Sequence, residues 1–241
     1  MERVLILLTT TVMLFMATGV QAMLSFANNK EVNITRTGCG VTKLCVETPD
    51  NCDPTGNSSC LFGSVTAGTP MPPNGVNMSF ELSGNSSGYI ALGLTLNETM
   101  GINMLFICGQ NGSDMFFFQA VSKNGTSEMF EVLNRDVMEI RGTVNGDMIQ
   151  CEFNVPGLNA TNTRSFHATT FIVILGHGNV IGGSPGPLRV ALTTNPLNLA
   201  DPASNVNTTS MPPTGGAGRP HLSHAGLLLL SILTLGVLKT V

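Results

Sequence analysis

Charge is scarce in this sequence: Asp, Glu, Lys and Arg make up only 11% of its 241 residues, against roughly a quarter in an ordinary soluble protein. Tryptophan is missing, tyrosine occurs once, and aromatic residues reach only 5%. Each shortage excludes something. A hydrophobic share of 42% rules out a highly charged disordered chain. A net charge of -4 rules out a basic nucleic-acid binder. No interior run reaches the length of about 20 apolar residues that a spanning helix needs, so a multi-pass membrane protein is excluded too. The length allows one domain or at most two small ones.

The apolar excess gathers at the two ends. Residues 1–22 read as a secretory signal peptide. Arg3 supplies the positive start, Val4 to Met16 the apolar core, and Val20-Gln21-Ala22 a small-x-small cleavage site. The mature chain then begins near Met23, with residues 23–38 as a lead-in; a buried N-terminal helix is the competing reading. At the other end, Ala225 to Val241 is almost wholly apolar. A polar spacer and the small residues Gly215, Gly216 and Ala217 precede it. That order is a GPI-attachment signal. Gly215 is the expected attachment residue, with Ser210 and Asn207 as alternatives, and 220–241 is the segment carrying the signal. A single C-terminal span is the rival reading. It is weakened by Lys239 inside a tail of marginal length. Without the two ends, eight basic and fourteen acidic residues remain. Such a surface has no attraction for DNA or anionic lipid.

Nine Asn-x-Ser/Thr sequons occur, at Asn33, Asn57, Asn77, Asn85, Asn97, Asn111, Asn124, Asn159 and Asn207. Together they predict a glycan-covered surface that supplies the solvation so few charges cannot. Six cysteines, Cys39, Cys45, Cys52, Cys60, Cys108 and Cys151, make an even set in a secreted chain and predict three disulfides. Their connectivity is open among the alternatives that six cysteines allow. Four of them crowd into 39–62, a stretch dense in Pro, Gly, Asn and Asp, which reads as a stapled loop. Zinc is disfavoured, because the spacings exceed the close Cys-x2-4-Cys pairs of zinc sites.

From 76 to 193 the chain consists of short alternating runs broken by turns. Strands are expected over 76–82, 88–95, 104–108, 115–122, 128–133, 137–144, 148–155, 169–175 and 188–193. Asn124-Gly125 is a hairpin signal. The run TTFIVIL (169–175) is continuously apolar, as a strand buried on both faces should be. About nine short strands with no amphipathic helix predict an all-β sandwich. An immunoglobulin domain is disfavoured, since its Cys…Trp…Cys arrangement needs a tryptophan. Residues 199–219 are rich in Pro, Gly, Ser, Thr and Asn and read as a flexible stalk.

Several blocks carry a family resemblance. CGVTKLCVETPDNCDPTGNSSCLF (39–62), FELSGNSSGYIALGLTLNETMG (80–101) and MLFICG (104–109) resemble the DOMON domain of animal ferric-chelate reductases. VMEIRGTVNGDMIQCEFNVPG (137–157) and FIVILGHGNVIG (171–182) are similar to its closing strands. The resemblance covers 39–198. It implies a DOMON-like β-sandwich that, in several relatives, binds b-type haem or a sugar. Haem-binding members hold the iron between a Met and a His, an axial pair suited to electron transfer. Met100 falls where the family's Met stands. The family's His follows the last long strand, where this sequence has Gly183; His177, six residues earlier, is the candidate, and His167 precedes the strand. Ile102 and Asn103 occupy a stretch where the family often has acidic residues. Full ferric-chelate reductases continue into a multi-helix cytochrome membrane domain, where this sequence has its apolar tail.

No G-x-S-x-G, H-E-x-x-H, Walker or Rossmann fingerprint occurs. No pair among the acids is singled out for glycoside hydrolysis. The resulting expectation is a GPI-anchored, N-glycosylated module on the extracellular face of the plasma membrane, non-enzymatic, binding an extracellular ligand or protein. The alternative is a b-type haem protein in single-electron transfer, with Met100 and His177 as axial ligands and an activity of the ferric-chelate-reductase kind.

Overall fold

The structure is a computed structural model and describes residues 30–205, except 57–58, 71–74, 98, 100, 113–114, 126, 128 and 160–168. The segments expected to be a signal peptide, the outer part of a stalk and a C-terminal apolar tail, and the expected lipid-attachment residue Gly215, lie outside the described residues. Among those residues, no helix is long and apolar enough to cross a membrane.

Two antiparallel sheets face each other. The first has the order β1 (Leu44–Thr48), β2 (Leu61–Pro70), β3 (Val76–Asn85), β9 (Met148–Leu158), β8 (Met138–Asn145). The second has the order β13 (Arg189–Asn198), β10 (Thr170–Gly178), β4 (Tyr89–Thr95), β5 (Gly101–Gln110), β6 (Phe116–Asn124), β7 (Phe130–Val132). A small hairpin, β11 (Val180–Ile181) with β12 (Ser184–Pro185), stands apart.

The inward faces follow the period-2 rule. Met78, Phe80 and Leu82 of β3 and Ile149, Cys151 and Phe153 of β9 meet Leu92 and Leu94 of β4, Phe106 and Cys108 of β5, and Val173 and Leu175 of β10. Four phenylalanines form the centre. Phe80 stacks on Phe153 at 5.3 Å, and Phe106 and Phe118 lie 4.9 and 5.0 Å from Phe153. This aromatic group does the packing that a tryptophan does in an immunoglobulin core.

The second sheet is apolar on its outer face as well. Tyr89, Ala91, Leu105, Ile107, Phe117, Ile172 and Ile174 cluster there, with Phe130, Val180 and Leu188 packed against them. Burial on both faces explains why β4 and β10 read as continuous apolar runs rather than alternating ones.

The cysteines pair Cys39–Cys45, Cys52–Cys60 and Cys108–Cys151. The last joins β5 to β9 and therefore ties the two sheets together. Two expectations need correction. The segment 39–62 is not loop alone: Leu44–Thr48 is a strand, because Leu44 and Val46 point into the core and the whole segment pairs in register with Leu61–Val65. The strand count also exceeds nine, since β1, β2, β11 and β12 were not expected and 128–133 shortens to Phe130–Val132.

Candidate functional site

Of the two candidate ligands, the structure describes His177, on β10 of the second sheet. β4 and β10 are antiparallel neighbours, with Ile172 opposite Thr95 and His177 opposite Ile90. His177 therefore stands at the end where β4 begins.

Met100 lies outside the described residues, but both chain neighbours are described. Gly101 opens β5 with φ +95°, a conformation suited to glycine. The Thr95 hydroxyl donates to the Gly101 carbonyl at 2.6 Å. Asn103 Oδ1 accepts from the Leu96 N–H at 3.1 Å. The Asn97 side chain accepts from the Thr99 N–H at 3.0 Å. These bonds clasp the loop between β4 and β5 at the Thr95 end. From Ile90 to Thr95 is five strand residues, about 17 Å at the usual rise. His177 thus stands about that far along the strand direction from Thr95, where the described part of the β4–β5 loop begins. Thr170 opens β10 at the Thr95 end of the pair; His167 lies outside the described residues. Thr95 and Asn103 as clasp residues had no signature in the sequence, since the pairing of β4 with β5 is what juxtaposes them.

His177 is exposed and lines a cleft of about 240 Å³ where the two sheets part, together with Thr48, Pro49, Ser59, Cys60, Leu61, Asn85 and Ala191. A larger, open groove of about 750 Å³ runs between the N-terminal lead-in and the first sheet, past Glu31, Asn33, Thr55, Asn145 and Gln150. No group of three or more His, Cys, Asp or Glu able to hold a metal ion occurs among the described residues.

Of the glycosylation candidates, Asn33, Asn85, Asn97 and Asn124 are exposed, while Asn77, Asn111 and Asn159 are half-buried. The Asn77 side-chain Oδ1 accepts from the Gly157 N–H at 3.0 Å. Asn57 and Asn207 lie outside the described residues. Tyr89 is the most strongly perturbed acid: burial pushes its phenol far above the ordinary range. Its hydroxyl donates to the Gly186 carbonyl at 2.7 Å, tethering the segment after β12.

The class these features define is an all-β extracellular sandwich stapled between its sheets, consistent with a DOMON-like module. The domain is homologous to the ferric-chelate-reductase family. A protein of Danio rerio named "Putative ferric-chelate reductase 1" is 28% identical over 203 residues, 83% of this chain and 33% of its own length. Its namesake in Xenopus laevis is 28% identical over 117 residues, 48% of this chain and 18% of its own. Human ferric-chelate reductase 1 is 34% identical over 70 residues, 29% of this chain and 11% of its own. The chain thus spans about a third or less of the length of the curated relatives it matches. No family model matches. Among solved structures, the cytochrome domain of Myriococcum thermophilum cellobiose dehydrogenase is 14% identical with a TM-score of 0.40, over 76% of this chain and 95% of that one.

Proposed function

We propose that the chain is a secreted or cell-surface module of the ferric-chelate-reductase type that takes part in single-electron transfer, with b-type haem as the group it would carry. The observation that supports this reading is the relationship with a ferric-chelate reductase along four-fifths of the chain. A haem iron held by a Met and a second axial ligand supplies a one-electron couple. Met100 is the residue that matches the family's haem Met. His177 is the candidate for the second ligand.

The cleft beside His177 supports a second reading: a non-enzymatic module that binds an extracellular ligand or protein. N-glycosylation at the sequons and a GPI anchor at Gly215 belong to both readings. They are supported by the sequence signals and by three disulfides, which persist in oxidising compartments.

The full chain secreted from a eukaryotic host, examined by visible spectroscopy before and after adding haem, separates the two. A Soret band with six-coordinate low-spin features, lost in Met100→Ala, supports the electron-transfer reading. Protein that stays colourless after haem addition overturns it in favour of the binding module. Release from cells by phosphatidylinositol-specific phospholipase tests the anchor; retention with an intact terminal tail contradicts it.

A further inference from the structure

We infer that the cleft beside His177 is the seat of the first sugar of an N-linked glycan on Asn85, so that this glycan packs against the protein instead of projecting into solvent. The inference rests on the N-glycosylation proposed above. Asn85 ends β3, is exposed, and begins an Asn-Ser-Ser sequon. It also lines the cleft, which no other described sequon asparagine does. The cleft holds about 240 Å³. That is below the ~300–1,000 Å³ of drug-sized sites, and suits one sugar ring better than a larger ligand.

The chemistry of the walls fits an N-acetylglucosamine. Pro49, Leu61 and Ala191 offer apolar surface to the acetamido methyl and the ring C–H groups. His177 lines the same space, and an exposed histidine has both an apolar body and a polar tip for a sugar hydroxyl. Ser59 and Thr48 add hydroxyls at the rim. The seat spans both sheets, because Leu61 and Asn85 belong to the first and His177 and Ala191 to the second. A packed sugar would therefore close the open end of the sandwich.

The test uses the full-length secreted protein in its native state. Site-resolved mass spectrometry first measures occupancy at Asn85 and Asn124, the latter an exposed site at the end of β6. Peptide N-glycosidase is then added without denaturant and release is followed at each site. The expected result is occupancy at Asn85 with release about tenfold slower than at Asn124, since a packed linkage must open before it is cleaved. In His177→Ala the two rates should converge. An unoccupied Asn85 overturns the inference together with the glycosylation it rests on. An occupied Asn85 released as fast as Asn124 overturns the seat alone and leaves glycosylation standing. The wild-type rate ratio decides the matter even where the variant is poorly secreted.

Discussion

Glu81 on β3 and Glu152 on β9 stand directly opposite each other on the outer face of the first sheet. Like charges in that position repel, and each is answered by a cation from the flanking strand side. The Lys43 ammonium donates to Glu81 at 2.7 Å, and Ser64 donates to the same oxygen at 2.6 Å. Arg141, in register with Glu152, forms an ion pair with it. The line Ser64–Glu81–Glu152–Arg141 thus crosses β2, β3, β9 and β8 in one register.

The two cations are not equivalent. The Lys43 side chain is only 10% exposed, also donates to the Thr35 carbonyl at 2.7 Å and sits over the Phe62 ring. Half of the Arg141 side chain is in solvent. Lys43→Met should therefore cost about 2 kcal/mol, somewhat less than the ~3–5 of breaking a fully buried pair. Arg141→Met should cost under about 1 kcal/mol, as exposed pairs do. Urea unfolding midpoints of the two variants check the contrast.

Tyr89 is the only tyrosine of the chain, so its phenolate can be followed without interference in the near ultraviolet. Burial raises its folded-state pKa above the ordinary 10.0. The folded protein keeps the phenol protonated where the unfolded chain has released it. The corresponding stability is fully present below pH 10 and declines as pH rises above it. The phenolate band should appear only together with the loss of β-sheet circular dichroism. Titration near the ordinary pKa in a still-folded protein contradicts the burial of Tyr89.

Gly178 and Gly142 leave no room for a side chain. A Cβ on Gly178 would lie 2.4 Å from the Tyr89 ring, and one on Gly142 would lie 2.3 Å from the Phe116 ring. Gly178→Ala and Gly142→Ala should each destabilise by about 2–3 kcal/mol through overpacking. Gly112→Ala, with nothing within 4 Å but φ +58°, should cost only the smaller penalty of left-handed backbone. Thermal unfolding of the three variants ranks them.

The inter-sheet disulfide closes a much longer loop than the other two, with a sequence separation of 43 against 6 and 8. In the chain-entropy picture, Cys108→Ala/Cys151→Ala should lose about 4 kcal/mol and Cys39→Ala/Cys45→Ala about 2. Comparison of secretion yield and denaturant midpoint measures the difference.

The sandwich was legible because its strands carry short alternating or wholly apolar runs, and because TTFIVIL could only be a strand covered on both faces. β1 was hidden by its setting. Its five residues include Cys45 and end just before the Cys52–Cys60 pair, in a stretch where Pro, Gly and Asn signal loops, and only the partner strand at Leu61–Val65 makes it a strand. The disulfide map was not legible either, since pairing depends on which strands face each other across the core. The candidate haem pair shows the same limit more sharply. Met100 and His177 are each reasonable in the linear pattern. The antiparallel register of β4 and β10 is what sets His177 across from Ile90 and not from Thr95, and register is a property of two strands together.

The central claim, that the module carries haem with Met100 as a ligand, is tested most directly by the visible spectrum of the haem-treated protein beside its Met100→Ala and His177→Ala variants. The account predicts a six-coordinate low-spin Soret band in wild type that is lost in Met100→Ala and in His177→Ala. A wild-type protein that stays colourless after haem addition, or a band unchanged in a Met100→Ala protein that still unfolds cooperatively, would contradict it.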